Sequence, residues 1–227
     1  MSRLPYRSFP LVLAAPSGTG KTTIAHALVE RLPHFVFSVS ATTRSARAGE
    51  IDGEDYEFLT ESTFREWIDR DELVEWAEVH GNLYGTPRKN LMKASERGEH
   101  VVLDIDVQGA RQIRKRVPDA VLIFVFPPSA RALMARLVGR GTEASPEVVR
   151  RMQAGRQELE EARHFDYVVV NDDLDGAVRR IQEIVDGESH RPLRARHLER
   201  DIARLQADLD GILEELGASE PPTTRES

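Results

Sequence analysis

The sequence predicts an α/β protein: a three-layer α/β/α core on a parallel sheet, with an inserted lobe and an arginine-bearing lid. Three observations lead there. Short, continuously apolar runs alternate with amphipathic segments of helical period, as in parallel strands joined by crossover helices. The first apolar run ends in a glycine-rich turn that opens a helix. Two stretches, residues 38–98 and 139–163, break the alternation with turn-forming and charged residues.

Residues 9–15 (FPLVLAA) are apolar throughout, as a strand buried on both faces should be. Residues 21–32 follow as a helix with Ile24, Leu28 and Leu32 on one face and Pro33 closing it. Further strands are expected at 101–105 (VVLDI), 121–126 (VLIFVF) and 167–170 (YVVV), each leading into a helix at 107–116, 130–137 and 174–185. The core therefore comprises residues 1–37 and 99–187, interrupted by a lobe of short strands and helices at 38–98. A lid at about 138–163 starts with a Gly/Arg loop and enters a helix with Ser145 as N-cap and Pro146 at its first position.

Residues 188–216 form a helical extension. Leu198, Ile202, Leu205, Leu209, Ile212 and Leu216 recur at alternating steps of four and three, a heptad seam. Such a seam packs on the chain's own surface or on another copy, and its three heptads do not choose between them. Residues 217–227 (GASEPPTTRES) are expected to be disordered.

Of 227 residues, 40% are hydrophobic, enough for a sizeable core, and 30% are charged, as in a globular protein outside the membrane. The net charge of −7 argues against a dedicated nucleic-acid binder, whose footprint would be basic. No apolar run approaches the ~20 residues of a membrane helix. The arginines and apolar residues at the start mimic a signal peptide, but the apolar stretch is short and runs straight into the glycine turn. With no cysteine, disulfides and thiolate metal sites are excluded, and a cytoplasmic location is expected.

The glycine turn carries chemistry. Ala15, Pro16, Ser17, Gly18, Thr19, Gly20, Lys21 and Thr22 match the Walker A pattern in all but its first glycine, where Ala15 stands. Gly18 and Gly20 let the backbone curl so that successive N–H groups point at a phosphate, and the helix behind adds its positive dipole end. Lys21 reaches the β- and γ-phosphates, and the Thr22 hydroxyl is placed to ligate Mg. Residues 15–23, including Thr23, thus make a nucleoside triphosphate site on a P-loop NTPase-type core.

The segment FSVSATTRSARAGEIDGEDY places Arg44 and Arg47 three apart, ahead of a glycine turn and Tyr56. Two arginine forks beside a tyrosine suit a monophosphate, although paired arginines on a loop are as readily plain solvated charges. The segment closely resembles the nucleotide-binding signature of guanylate kinases. It is joined in order by LVEWAEV around Glu75, NLYGT through Tyr84 and Thr86, LDID through Asp104 and Asp106, GRGT at 139–142 and VNDDL at 170–174. The resemblance covers roughly residues 9–187.

It implies transfer of the γ-phosphoryl group of ATP to GMP, with Mg, in purine nucleotide metabolism. Arg44, Arg47, Tyr56 and Tyr84 are implied to hold the GMP phosphate, and Ser40, Glu75, Thr86 and Asp106 to surround guanine. The chemistry agrees: guanine presents a ring N–H and an exocyclic amine on one edge, two donors for a carboxylate such as Glu75. In an acidic stretch (DELVEWAE), Glu75 reads equally as an exposed charge. Arg136, Arg140 and Arg151 stand at the family's lid positions as catalytic cations with Lys21 and Arg44; Asn171 is implied on the adenine side, and Asp104 beside Mg or Lys21.

No general base is needed, because a nucleotide phosphate with second pKa near ~6 is already mostly dianionic at neutral pH. Accordingly no Ser-His-Asp or paired-His motif is present among the seven histidines. Positioning and charge neutralisation carry the reaction, and closure of lobe and lid should exclude water. The alternative is a catalytically silent guanylate-kinase-like binding module. Such modules usually lose the phosphate loop, which is intact here.

Overall fold

Leu11 and Leu13 face one side of the first strand and Val12 and Ala14 the other, and all four are fully buried. Alternation with both faces covered is the signature of a central parallel strand. The computed structural model, which describes residues 6–79, 81–138 and 146–216, bears this out. Strand β1 (Leu11–Ala14) is the middle of a five-stranded sheet with β2 (Phe35–Phe37), β7 (His100–Asp104), β8 (Val121–Phe126) and β9 (Tyr167–Val170). Their order is β2-β7-β1-β8-β9, and every neighbouring pair is parallel.

Two apolar layers cover the sheet. Leu11, Leu13, Val102 and Ile123 pack with Ile24 and Leu28 of α1 (Lys21–Arg31) and with Ala177 and Ile181 of α7 (Leu174–Ser189). On the other face, Val12, Leu103 and Phe124 pack with Ala110 and Ile113 of α4 (Val107–Arg116) and with Leu91 and Ala94 of α3 (Arg88–Arg97). The result is the predicted α/β/α sandwich.

The intervening segment supplies a second sheet of β3 (Ser40–Thr42), β4 (Tyr56–Phe58), β5 (Leu73–Val79) and β6 (Asn82–Pro87), in the order β4-β3-β6-β5. β5 and β6 are antiparallel and set Glu75 opposite Thr86. Helix α2 (Glu61–Asp69) buries Phe64 against Ala41, Leu73 and Leu83 to give this sheet its own core. Helices α5 (Ala130–Val138) and α6 (Pro146–Glu158) pack through Leu133, Leu137 and Val148.

The predicted strands and helices are present, with shifts of one or two residues at several ends; helix α7 runs on to Ser189. Pro146 begins α6 as expected. Strand β2 is an addition: three residues carry too little periodicity to declare a strand. Ser145, the 139–142 loop and residues 217–227 lie outside the described residues.

The chain separates into two units, residues 8–187 and a smaller one of residues 6–7 and 188–216. In the smaller unit Tyr6 bridges Ala195, and Arg7 N–H donates to Arg194 O at 2.7 Å. Helix α8 (Leu198–Glu215) carries the heptad seam, with Leu205, Leu209 and Ile212 exposed. No helix among the described residues is long and apolar enough to cross a membrane.

Candidate active site

Between β1 and α1 the chain turns through Gly18 at φ 84° and Gly20 at φ 90°. Side chains avoid this left-handed region, and here a Cβ would also press on neighbouring side chains. A Cβ at Gly18 would lie 2.8 Å from Leu137 Cδ2, and one at Gly20 2.8 Å from Asn171 Nδ2. The loop is therefore set by its glycines and held from outside. The carbonyl of Thr19 accepts from Asn171 Nδ2 at 2.7 Å and from Arg136 Nη1 at 2.6 Å.

Helix α6 also touches the loop. Arg151 Nη2 donates to Ser17 Oγ at 2.6 Å, and Gly155 leaves no more than 3.3 Å from its absent Cβ to Pro16 Cβ. The half-buried Glu158 carboxylate accepts from Ser17 N–H. Burial, reinforced by Asp106, raises its pKa against the pull of Lys21 and that N–H.

At the foot of α1, Lys21 Nζ lies 2.7 Å from Asp104 Oδ1 and donates to the carbonyl of Ile105. Thr22 Oγ1 donates to Asp104 Oδ2 at 2.5 Å. Asp104, at the end of β7, thus aligns a cation and a hydroxyl at once. Ala15 and Pro16 are buried, and Thr23 is exposed on the first turn of α1.

A second cluster lies on the smaller sheet. Arg44 forks onto both oxygens of Glu50 at 2.9 Å, and Arg47 N–H donates to Glu50 Oε2 at 2.7 Å. The fork holds Arg44 above its ordinary pKa and, with the Arg47 N–H, holds Glu50 below the usual carboxylate range. The Arg44 guanidinium lies 5.2 Å from the centroid of Tyr56, whose ring meets Tyr84 edge-on at 6.1 Å. Ser40 is half-buried on β3, in register with Tyr56 of β4. Arg47 is exposed.

The third element is Glu75. It is 4% exposed and so is not the surface charge that its acidic neighbours suggested. Thr86 Oγ1, fully buried on the facing strand, donates to Glu75 Oε1 at 2.6 Å. Burial lifts the Glu75 pKa to about 7; the Thr86 hydroxyl opposes this, Asp106 adds to it, and Lys21 opposes it. Asp106 caps α4 by accepting Gly109 N–H at 2.8 Å.

The sequence-derived residues thus fall into three groups. The loop gathers Lys21, Thr22, Asp104, Arg136, Arg151 and Asn171. The arginine–tyrosine cluster holds Arg44, Tyr56 and Tyr84, and the buried carboxylate holds Glu75 and Thr86 with Asp106 in electrostatic reach. Arg140 lies outside the described residues. Glu50 and Glu158 were not anticipated. Glu50 stands six residues after Arg44, where opposite charges across a glycine turn were a usable signal; Glu158, in the acidic run ELEEA, carried none.

Comparison with known proteins gives the family. Residues 7–188 match the family model described as guanylate kinase. A guanylate kinase of Synechocystis is 48% identical over 178 residues, covering 78% of this chain and 93% of the relative. One from Syntrophus aciditrophicus is 47% identical over 208 residues, covering 92% and 95%. Among solved structures, guanylate kinase from Anaplasma phagocytophilum superposes with a TM-score of 0.74 at 34% identity, covering 88% of this chain and 95% of that one. With a family match over residues 7–188 and relatives of 47–48% identity over most of its length, this chain belongs to the guanylate kinase family.

Proposed function

We propose that this chain is an active guanylate kinase, transferring the γ-phosphoryl group of ATP to GMP to give ADP and GDP in purine nucleotide metabolism. The observation that carries the acceptor is Glu75. A carboxylate kept at 4% exposure, with Thr86 as its hydrogen-bonding partner, suits a ligand that brings two donors to one edge. Guanine does so; adenine offers an unprotonated ring nitrogen there. Sites built on such pairing discriminate by ~10⁴ or more. The intact loop and the relatives' names favour the enzyme over a silent binding module.

In this reading Arg44, Arg47, Tyr56 and Tyr84 take the GMP phosphate, and Ser40, Glu75, Thr86 and Asp106 take guanine. The loop from Ala15 to Thr23 takes the ATP phosphates. A GMP phosphate oxygen attacks the γ-phosphorus as the bond to the β-bridging oxygen breaks. No proton has to be removed from the dianion. Lys21, held by Asp104 and Ile105, meets charge on the transferring group, and Arg136 and Arg151, which donate to Thr19 O and Ser17 Oγ of the loop, are proposed to add their charge to it. Arg140 is proposed to join them from the lid, and Asn171 to border the adenine side.

The hard oxygens of Thr22 and Asp104, 2.5 Å apart, fit Mg, and no group of three or more His, Cys, Asp or Glu among the described residues could hold a metal alone. Mg, when bound there with the nucleotide phosphates, would supply further neutralisation of their charge.

We assign the enzyme to the cytoplasm from its nucleotide substrates and cysteine-free chain. The exposed seam of α8 supports self-association, which deletion of residues 188–227 and a mass measurement in solution tests. For the activity, a coupled assay with ATP should show turnover of GMP and little of AMP, UMP or CMP. Equal rates across the four, or none with GMP, would sink the assignment.

A further inference from the structure

The third residue of α4 is a glycine that the helix itself does not require. Gly109 does not have positive φ, so an alanine is conformationally allowed there. Glycine in a helix costs roughly 0.5–1 kcal/mol relative to alanine, so its place calls for another cause. The cause is visible across the contact with β5. A Cβ at Gly109 would stand 2.4 Å from Glu75 Oε2 and 3.0 Å from its Cδ. The Glu75 carboxylate therefore rests against the bare Cα of Gly109 while its other oxygen accepts from Thr86.

One turn further on, Gln112 fastens the same junction. Its Nε2 donates to the carbonyl of Trp76 at 2.6 Å, and its Oε1 accepts Trp76 N–H at 3.3 Å. Helix α4 thus grips the backbone next to Glu75 with a side chain and makes room for the carboxylate with a missing one. The N–H of Gly109 is taken by Asp106.

We infer that Gly109 is a positioning residue for base selection: its lack of a side chain sets where the Glu75 carboxylate stands, and so which purine edge it can accept. This rests on the proposed guanylate kinase reading. Because the atom that must yield is the end of a side chain rather than backbone, a methyl at 109 displaces the carboxylate and leaves the fold standing. The displaced carboxylate meets one donor of guanine instead of two.

The test is Gly109→Ala, assayed with GMP and with IMP, whose base keeps the ring N–H and lacks the exocyclic amine. Wild-type turnover of GMP is checked first; its absence overturns the functional reading and this inference with it. Given that turnover, the variant should keep or raise its thermal midpoint and keep its KM for ATP. Its KM for GMP should rise about tenfold or more, one charged hydrogen bond's worth, and its preference for GMP over IMP should narrow. An unchanged KM for GMP, an equal rise for ATP, or an unchanged GMP/IMP ratio overturns the positioning role while leaving the guanylate kinase reading intact. If the variant instead melts early, G109A/E75D, whose shorter acid vacates the methyl's space, must regain the wild-type midpoint; a midpoint that stays low overturns the inference.

Discussion

Thr86 donates its hydroxyl to Glu75 across neighbouring strands, at a point where one side chain is fully buried and the other 4% exposed. This bond, with a second from the Thr86 N–H, offsets part of the cost of dehydrating a carboxylate, and burial still leaves Glu75 near pKa 7. Three of the expectations below start from that balance.

The first is a pH profile. In the proposed reading, protonated Glu75 turns an acceptor into a donor facing guanine's donors, so kcat/KM for GMP should rise with pH through about 7 and then level. The GMP phosphate also ionises, near ~6. In Glu75→Gln only that lower step should remain; a step near 7 persisting in this variant counts against the assignment.

The second concerns stability. The Glu75 pKa is raised from 4.5 to about 7, so the folded state binds the extra proton and stability falls as pH climbs between these values. Above 7 the penalty is complete, of the order of 3 kcal/mol at ~1.4 kcal/mol per pH unit. Glu75→Gln should therefore melt higher than wild type at pH 8 and close to it at pH 5, while losing GMP affinity. Thermal melts at the two pH values decide it, and equal shifts at both contradict the sign.

Thr86→Val should act through the same carboxylate. Losing the hydroxyl removes the main interaction that favours the charged form, so the inflection in kcat/KM for GMP should move to higher pH. KM for GMP at neutral pH should rise with it, and KM for ATP should not. A profile with an unmoved inflection speaks against this coupling.

On the donor side, Asp104→Asn keeps the shape but leaves Lys21 and Thr22 without their shared carboxylate. We expect kcat to fall about 10²-fold with KM for GMP little changed, since the lost interaction serves the transferring group. Single-turnover rates test this; a loss confined to KM for GMP points away from it.

Asn171→Ala frees one of the two bonds on the buried Thr19 carbonyl. It should cost about 1 kcal/mol of stability and raise KM for ATP while sparing KM for GMP. Denaturant unfolding and steady-state kinetics together separate this from a global defect.

Much of the fold was legible because its central strands are buried on both faces and so appear as unbroken apolar runs, as at Val121–Phe126. The edge strand Tyr167–Val170 also has the predicted bounds, although Val168 and Val170 are exposed. The phosphate loop was legible for a different reason: its glycines are demanded by backbone geometry, which leaves a local trace. Glu75 was legible only through resemblance, because its neighbours are acidic and its burial depends on Thr86 eleven residues away and on helix α4. Glu158 left no trace, since the amide it meets belongs to Ser17 and is 141 positions earlier in the chain. What sequence could not supply was long-range partnership between ordinary residues.

Glu50 gives the arginine cluster a built-in rival. Its carboxylate is tethered six residues from Arg44, and tethers of this kind act like a competitor at ~mM concentration. A bare anion such as inorganic phosphate must outbid it using charge alone. In the proposed reading, GMP arrives with its base as a second handle and can win the exchange, so that the arginine fork would work as a threshold, turning away ligands that are merely anionic.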